Sequence, residues 1–200
     1  MVAIFYNKKM LNDTLIINIS NKKIISHITN DNFVIGYSNE NEVSYINIFN
    51  FSKFMHLLDG YVRLDEKLCL KIKEITKIDL SAYIDSNNFV VGQIDECEKI
   101  EGTHLHKCLV NIGKEKLQIM CGASNARSSL KVVVALDGAM LPNGTCIRSG
   151  QILGNKSLGM LCSKKELNLT DKKFNDEGII ELPDSYKIGE KFNEIFTSNI

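Results

Sequence analysis

The residues in this 200-residue chain best suited to hold or transfer something are its four histidines, its six cysteines and its clustered carboxylates. His104, His106 and Cys108 alternate, so on a strand their side chains share one face, as ligands of a single ion would. Side chains two apart on a strand nevertheless stand roughly 7 Å from one another, at about 3.3 Å of rise per residue. The outer pair is too far apart to close on one ion, so the alternation argues against a metal site. The cysteines (Cys69, Cys97, Cys108, Cys121, Cys146 and Cys162) include no pair at the close spacing of a zinc ribbon or a redox motif. They read as reduced thiols that behave as small buried apolar groups. No histidine stands in a nucleophile motif such as Gly-x-Ser-x-Gly, and no phosphate loop of the Gly-x-x-x-x-Gly-Lys-Ser/Thr kind is present. Asp95, Glu96, Glu98 and Glu101 form an acidic cluster without a partner base, which reads as solvated surface. The chain is therefore expected to bind rather than catalyse, with no cofactor and no metal.

Charge is more informative in its distribution than in its sum, which is zero. From Met1 to Asn87 ten bases meet ten acids. From Asn88 to Leu169 ten bases meet seven acids, and from Thr170 to Ile200 four bases meet seven. The positive middle is where a polyanion would settle. A hydrophobic content of 44% and a charged content of 24% suit a soluble globular protein with a proper core. The longest apolar run, Leu130 to Met140, is interrupted by Lys131 and Asp137 and falls short of the roughly 20 residues that cross a bilayer. Met1 to Leu15 breaks at Asn7, Lys8 and Lys9, the wrong order for a secretory signal, so a cytoplasmic location is expected.

The elements that must position any binding residues fall into two groups. Ala3 to Tyr6, Thr14 to Ile19, Phe33 to Tyr37 and Val43 to Ile48 are rich in β-branched and aromatic residues between polar clusters, and predict four short strands. Ser52 is placed to cap a short helix carrying Phe54, Leu57 and Leu58. Leu64, Leu68, Ile72 and Ile75 then recur at helical spacing and predict a helix from about Asp65 to about Lys77. These features predict an α+β N-terminal domain over 1–84. The polar stretch Asp85-Ser86-Asn87-Asn88 suits a linker. Beyond it, Phe89 to Asp95, Leu105 to Ile112, Lys116 to Cys121 and Lys131 to Leu136 predict strands, with a loop at Gly102 and a turn at Gly113 to Glu115. Leu141-Pro142-Asn143-Gly144-Thr145 predicts a tight turn leading into a strand near Cys146 to Ile152. Four or five such strands predict an all-β barrel of the oligonucleotide-binding (OB) fold over 88–198.

Four segments in the second group carry a resemblance. They are Val90-Val91-Gly92-Gln93-Ile94, the stretch Leu117 to Arg127 (LQIMCGASNAR), the run Leu130 to Leu136 (LKVVVAL), and Ser157-Leu158-Gly159-Met160-Leu161-Cys162-Ser163. Together, in this order, they resemble the tRNA-binding OB domain at the N-terminus of the bacterial phenylalanyl-tRNA synthetase β subunit and of free-standing tRNA-binding proteins. Asp176 to Pro183 is similar to the tail of that domain. A chain of this size, with another domain ahead of the barrel, looks like the YtpR-type tRNA-binding proteins. It departs from the pattern at Lys99 to Thr103, where members carry a His-Pro-Asp type loop, and at Leu158, where they carry an acid.

What the resemblance implies is non-catalytic binding of tRNA, read by shape and backbone. Folded RNA offers phosphates, 2′-hydroxyls and unpaired bases. Arg127 would fork onto a phosphate, and Asn125 would donate and accept at a ribose or base edge. Lys131, Arg148, Lys156 and Lys164 would supply charge, Ser157 and Ser163 hydroxyl donors, and Met160 a polarizable apolar contact. Asn125 equally suits a turn, and Met160 equally suits a core. The resemblance leaves open an aminoacyl-tRNA synthetase as a second partner, and a homodimer. Two other readings stand beside it: a protein-interaction module that docks on a synthetase or translation partner, and a nuclease or tRNA-modifying activity housed in Met1 to Ala82.

Overall fold

Alternation of apolar and polar residues builds the first part of the chain as a sheet. The computed structural model describes residues 2–38, 42–84 and 88–196. Strands β1 (Ala3–Asn7), β2 (Thr14–Asn18), β3 (Ser26–Thr29), β4 (Phe33–Tyr37), β5 (Val43–Ile48) and β6 (Gly60–Val62) form one antiparallel sheet in the order β3-β4-β5-β2-β1-β6. Ile4, Leu15, Ile17, Ile35, Ile46 and Ile48 lie on its inner face, each 2% exposed or less. Helix α1 (Glu66–Thr76) adds Leu68 and Ile72 to this core. The Asp65 carboxylate accepts from Leu68 N at 2.7 Å and starts the helix, while Lys77 in a left-handed conformation ends it.

The expected α+β character of 1–84 is overturned: the chain is nearly all β, and no distinct α+β domain precedes the barrel. β3 and β6, of four and three residues, extend the sheet where no apolar alternation is long enough to predict a strand. The helix expected after Ser52 is a single 3-10 turn, Phe51–Lys53, capped by Asn50 without a side-chain hydrogen bond. The Ser52 hydroxyl instead donates to Asp13 at 2.7 Å. Apolar residues at Phe54, Leu57 and Leu58 are too few to sustain a helical stripe, whereas the four apolar positions from Leu64 to Ile75 sustain one. Asp85, Ser86 and Asn87 of the expected linker lie outside the described residues.

Contacts gather the chain into two compact units, Met1–Asn87 with Phe196–Ile200, and Asn88–Ile195. In the second, β7 (Phe89–Lys99), β8 (His106–Asn111), β9 (Lys116–Cys121), β10 (Lys131–Ala135) and β13 (Met160–Leu161) form a five-stranded sheet in the order β13-β10-β7-β8-β9. The eleven residues of β7 pair with β10 at one end and β8 at the other, with a bulge between Ile94 and Glu96 where the strand turns the corner. The sheet curls until its edges meet. Leu158 N donates to Gln118 O at 2.9 Å and Met120 N to the Ser157 hydroxyl at 3.1 Å, leaving a nearly closed barrel of the OB type. Ile94, Cys108, Val110, Ile119, Val132 and Val134 fill it without exposure. Four of the six cysteines are buried and none forms a disulfide. Burial pushes the thiols of Cys108, Cys121 and Cys162 up, which suits apolar packing rather than chemistry.

After β13 the chain wraps the barrel without regular structure. Ile180 N donates to Cys162 O and Leu182 N to Lys131 O, both at 2.9 Å. Phe174, Ile179, Ile180, Leu182 and Phe192 are buried, so this wrap is part of the unit rather than a loose tail. Among the described residues no helix is long and apolar enough to cross a membrane.

Candidate nucleic-acid interface

The binding residues expected from the sequence lie at three places on the barrel: the turn after β9, the start of β10, and the crossing that ends in β13. At the turn, the Asn125 amide donates to Ile179 O at 2.9 Å and to Glu181 Oε1 at 3.1 Å, and its oxygen accepts from Ile179 N at 3.0 Å. Every polar atom of this side chain is therefore spent within the fold. Arg127 forks onto Glu181, with guanidinium nitrogens 2.9 and 2.7 Å from the two carboxylate oxygens, and it also donates to Asn125 O at 3.1 Å. That fork is the geometry expected on a phosphate, here taken by a carboxylate.

Lys131, on β10, buries its stem and donates to the carbonyls of Asp184 and Tyr186 at 2.8 and 2.9 Å. The Ser157 hydroxyl is buried, accepting from Met120 N and donating to Gly159 O at 3.2 Å. The Ser163 hydroxyl donates to Glu166 Oε2 at 2.7 Å. Lys164 is tied to Asp176 at 2.6 Å. Met160 and Ser163 line a shallow groove of about 350 Å³, together with Met120, Gly122, Glu166 and Ile179.

Three of the five expected cations thus meet carboxylates of the acidic wrap: Arg127 with Glu181, Lys131 with Asp184 at 3.8 Å, and Lys164 with Asp176. The remaining two differ. Arg148 stands 4.0 Å from Asp137, the outer limit of an ion pair, and its side chain is 60% exposed. Lys156 is exposed on the strand β12 (Asn155–Ser157), which pairs with β11 (Gly150–Ile152) in a hairpin off the barrel, and no ion pair with it is found among the described residues. Residues 138–165 contain four bases, Arg148, Lys156, Lys164 and Lys165, and no acid. That run is visible in the sequence as a local charge pattern.

The Arg127 guanidinium, helped by the Asn125 amide, holds the Glu181 carboxyl down to about 2. A carboxyl depressed by folding stabilises the fold fully above its unfolded value, about 4.3, and loses that contribution as pH falls through its folded value. The unfolding temperature is therefore expected to drop between about pH 4.5 and pH 2, and to drop less in Glu181→Gln. Equal slopes in the two proteins, read by circular dichroism at low salt, would show that the fork contributes nothing.

Comparison with known proteins bears on the same region. The family model that matches, described as "Putative tRNA binding domain", covers residues 89–191. An uncharacterized protein of Mycoplasma pneumoniae is 42% identical over 134 residues, which span 66% of this chain and 56% of that protein. The "Putative tRNA-binding protein YtpR" of Bacillus subtilis is 36% identical over 94% of this chain and 98% of its own length. The β subunit of the phenylalanine–tRNA ligase of Streptococcus pneumoniae is 46% identical over 52% of this chain, a stretch that makes up 14% of that subunit.

Proposed function

Because the chain belongs to the tRNA-binding domain family, we propose that it binds tRNA without acting on it, gripping the folded molecule by its shape and backbone rather than by its sequence. The observation that carries this reading is the family match over 89–191, which spans the nearly closed barrel, its groove and the acid-free run that follows β10. Barrels of this architecture commonly receive oligonucleotides on one face and its bordering loops. Backbone recognition needs cations that are free to release counterions, and Arg148 and Lys156 are the expected residues that best meet the need.

In this reading the work belongs to the domain over 88–198, in the cytoplasm, with 1–84 a separate domain. Arg127 and Lys131 serve chiefly by tying the wrap to the barrel and Lys164 by bracing the wrap within itself, and Arg127 reaches RNA only by exchanging the Glu181 carboxylate for a phosphate.

Titration of fluorescently labelled total tRNA at two salt concentrations tests the proposal. Micromolar or tighter binding that weakens with salt is expected, and tRNA recovered intact. The double substitution Arg148→Ala, Lys156→Ala is expected to weaken binding about tenfold at low salt and to reduce the salt slope by about two. No binding by the unmodified protein at low salt would favour a protein-interaction module that docks on a synthetase or translation partner.

A further inference from the structure

Between β10 and β13 the chain leaves the barrel and builds the β11–β12 hairpin, with Gly150 opposite Ser157 and Ile152 opposite Asn155. Its two-residue turn, Leu153-Gly154, has φ of 49° and 76°. Two positive φ values in succession make this a type I′ turn, for which asparagine followed by glycine is preferred; a leucine in the left-handed region is disfavoured by its own Cβ. The Asn155 amide braces the turn by donating to the Leu153 carbonyl at 3.1 Å. Leu153 is 66% exposed and Ile152 is 42% exposed, and a Cβ added at Gly150 or Gly154 would meet no atom within 4 Å. The hairpin therefore carries two exposed aliphatic side chains at its tip, one of them in an unfavourable backbone conformation.

The root of the same hairpin is fixed. Ser157 is held by Met120 N and Gly159 O, at the crossing that leads into the groove residue Met160. Lys156, opposite Gln151, and Arg148, two residues before β11, flank the tip on a stretch that holds no acid from 138 to 165. A fixed root, two exposed cations, of which Arg148 meets Asp137 only at 4.0 Å, and an apolar end are matched by a polyanion that also offers apolar surface. Nucleic acid exposes such surface only where bases are unstacked, as in the loops of a folded RNA, and apolar side chains do wedge against base steps in other complexes.

We propose that the hairpin tip, Ile152 and Leu153, packs on unstacked bases of a folded RNA while Lys156 and Arg148 hold the neighbouring phosphates. The inference rests on the tRNA-binding reading above and adds a reason for loops to be preferred over duplex. The acid-free flanks and the continuity with the groove favour RNA over a protein partner.

Leu153→Asn separates contact from structure, because asparagine suits the turn better than leucine does. Labelled total tRNA and a labelled perfect RNA duplex of similar length are titrated with both proteins, and their unfolding temperatures are measured. The unmodified protein is expected to prefer tRNA. The variant is expected to lose about tenfold on tRNA, as for one buried leucine side chain, and nothing on the duplex, with an unfolding temperature equal or higher. Unchanged tRNA affinity in the variant, while the unmodified protein binds, overturns the proposal and leaves the tip to a protein partner. An equal loss on both RNAs also overturns it, since the tip would not then be reading bases. Failure of the unmodified protein to bind either RNA overturns the tRNA-binding reading itself.

Discussion

Replacing Gly159 with alanine is expected to destabilise the barrel by about 3 kcal/mol or more, a large share of what holds a domain of this size together. Gly159 has φ of 146°, in a region L side chains rarely adopt, and a Cβ built there would stand 2.6 Å from Ala135 O. Ala135 is wholly buried on β10 and pairs with Met160, so that carbonyl has nowhere to retreat. Gly159 follows immediately on Ser157 and Leu158, whose bonds to Met120 and Gln118 close the seam of the barrel. Alanine would thus strain the backbone and push the seam apart together. Urea or thermal unfolding checks this. A variant as stable as the unmodified protein would mean that the crossing has room which its geometry denies. The consequence for binding follows from position: Met160 lines the groove only because the chain turns here, so tRNA affinity is expected to fall with the folded fraction.

The strands of the barrel were legible because their side chains alternate between a filled interior and an outer face, as in Lys107–Asn111, where Cys108 and Val110 are buried and their neighbours are not. β3 was not legible for the opposite reason. All four of its residues are exposed at the edge of the sheet, so burial imposes no pattern on them. β6, β12 and β13 run two or three residues each, too short for a period to register. The helix from Glu66 was readable from the spacing of Leu64, Leu68 and Ile72, whose common face is buried. It was the weight given to that helix, against a sheet of six strands, that suggested an α+β domain.

For the interface, residue types were legible and their partners were not. Arg127 and Glu181 are 54 positions apart, and Lys131 reaches carbonyls 53 and 55 positions on. No local spacing encodes such pairings, although an excess of three bases in one segment and three acids in the next is what they leave in the sequence. Counting cations therefore overstates the charge free for RNA, while the acid-free run around the hairpin holds the two expected cations that are least opposed, Lys156 and Arg148.

Asn125→Ala tests which account of the motif is right. The side chain makes three hydrogen bonds, and two of them engage both the N–H and the carbonyl of Ile179, as a neighbouring strand would. Its removal strips a partner from Glu181 and leaves the N–H of buried Ile179 unpaired at its bridge to Ser163, while the Ile179 carbonyl keeps the Asn175 amide at 3.0 Å. Each such bond contributes about 1 kcal/mol and each orphaned group costs about as much again, so a loss of about 2–4 kcal/mol is expected. Restoring the amide's shape with Asn125→Asp would not rescue the fold, because a carboxylate cannot donate and would face Glu181 across 3.1 Å. If the amide is spent on the wrap, the alanine variant, assayed well below its unfolding temperature, keeps its affinity for tRNA. Normal stability with lost affinity would return Asn125 to the RNA, and would mean that the wrap holds its place through Arg127, Lys131 and its buried side chains alone.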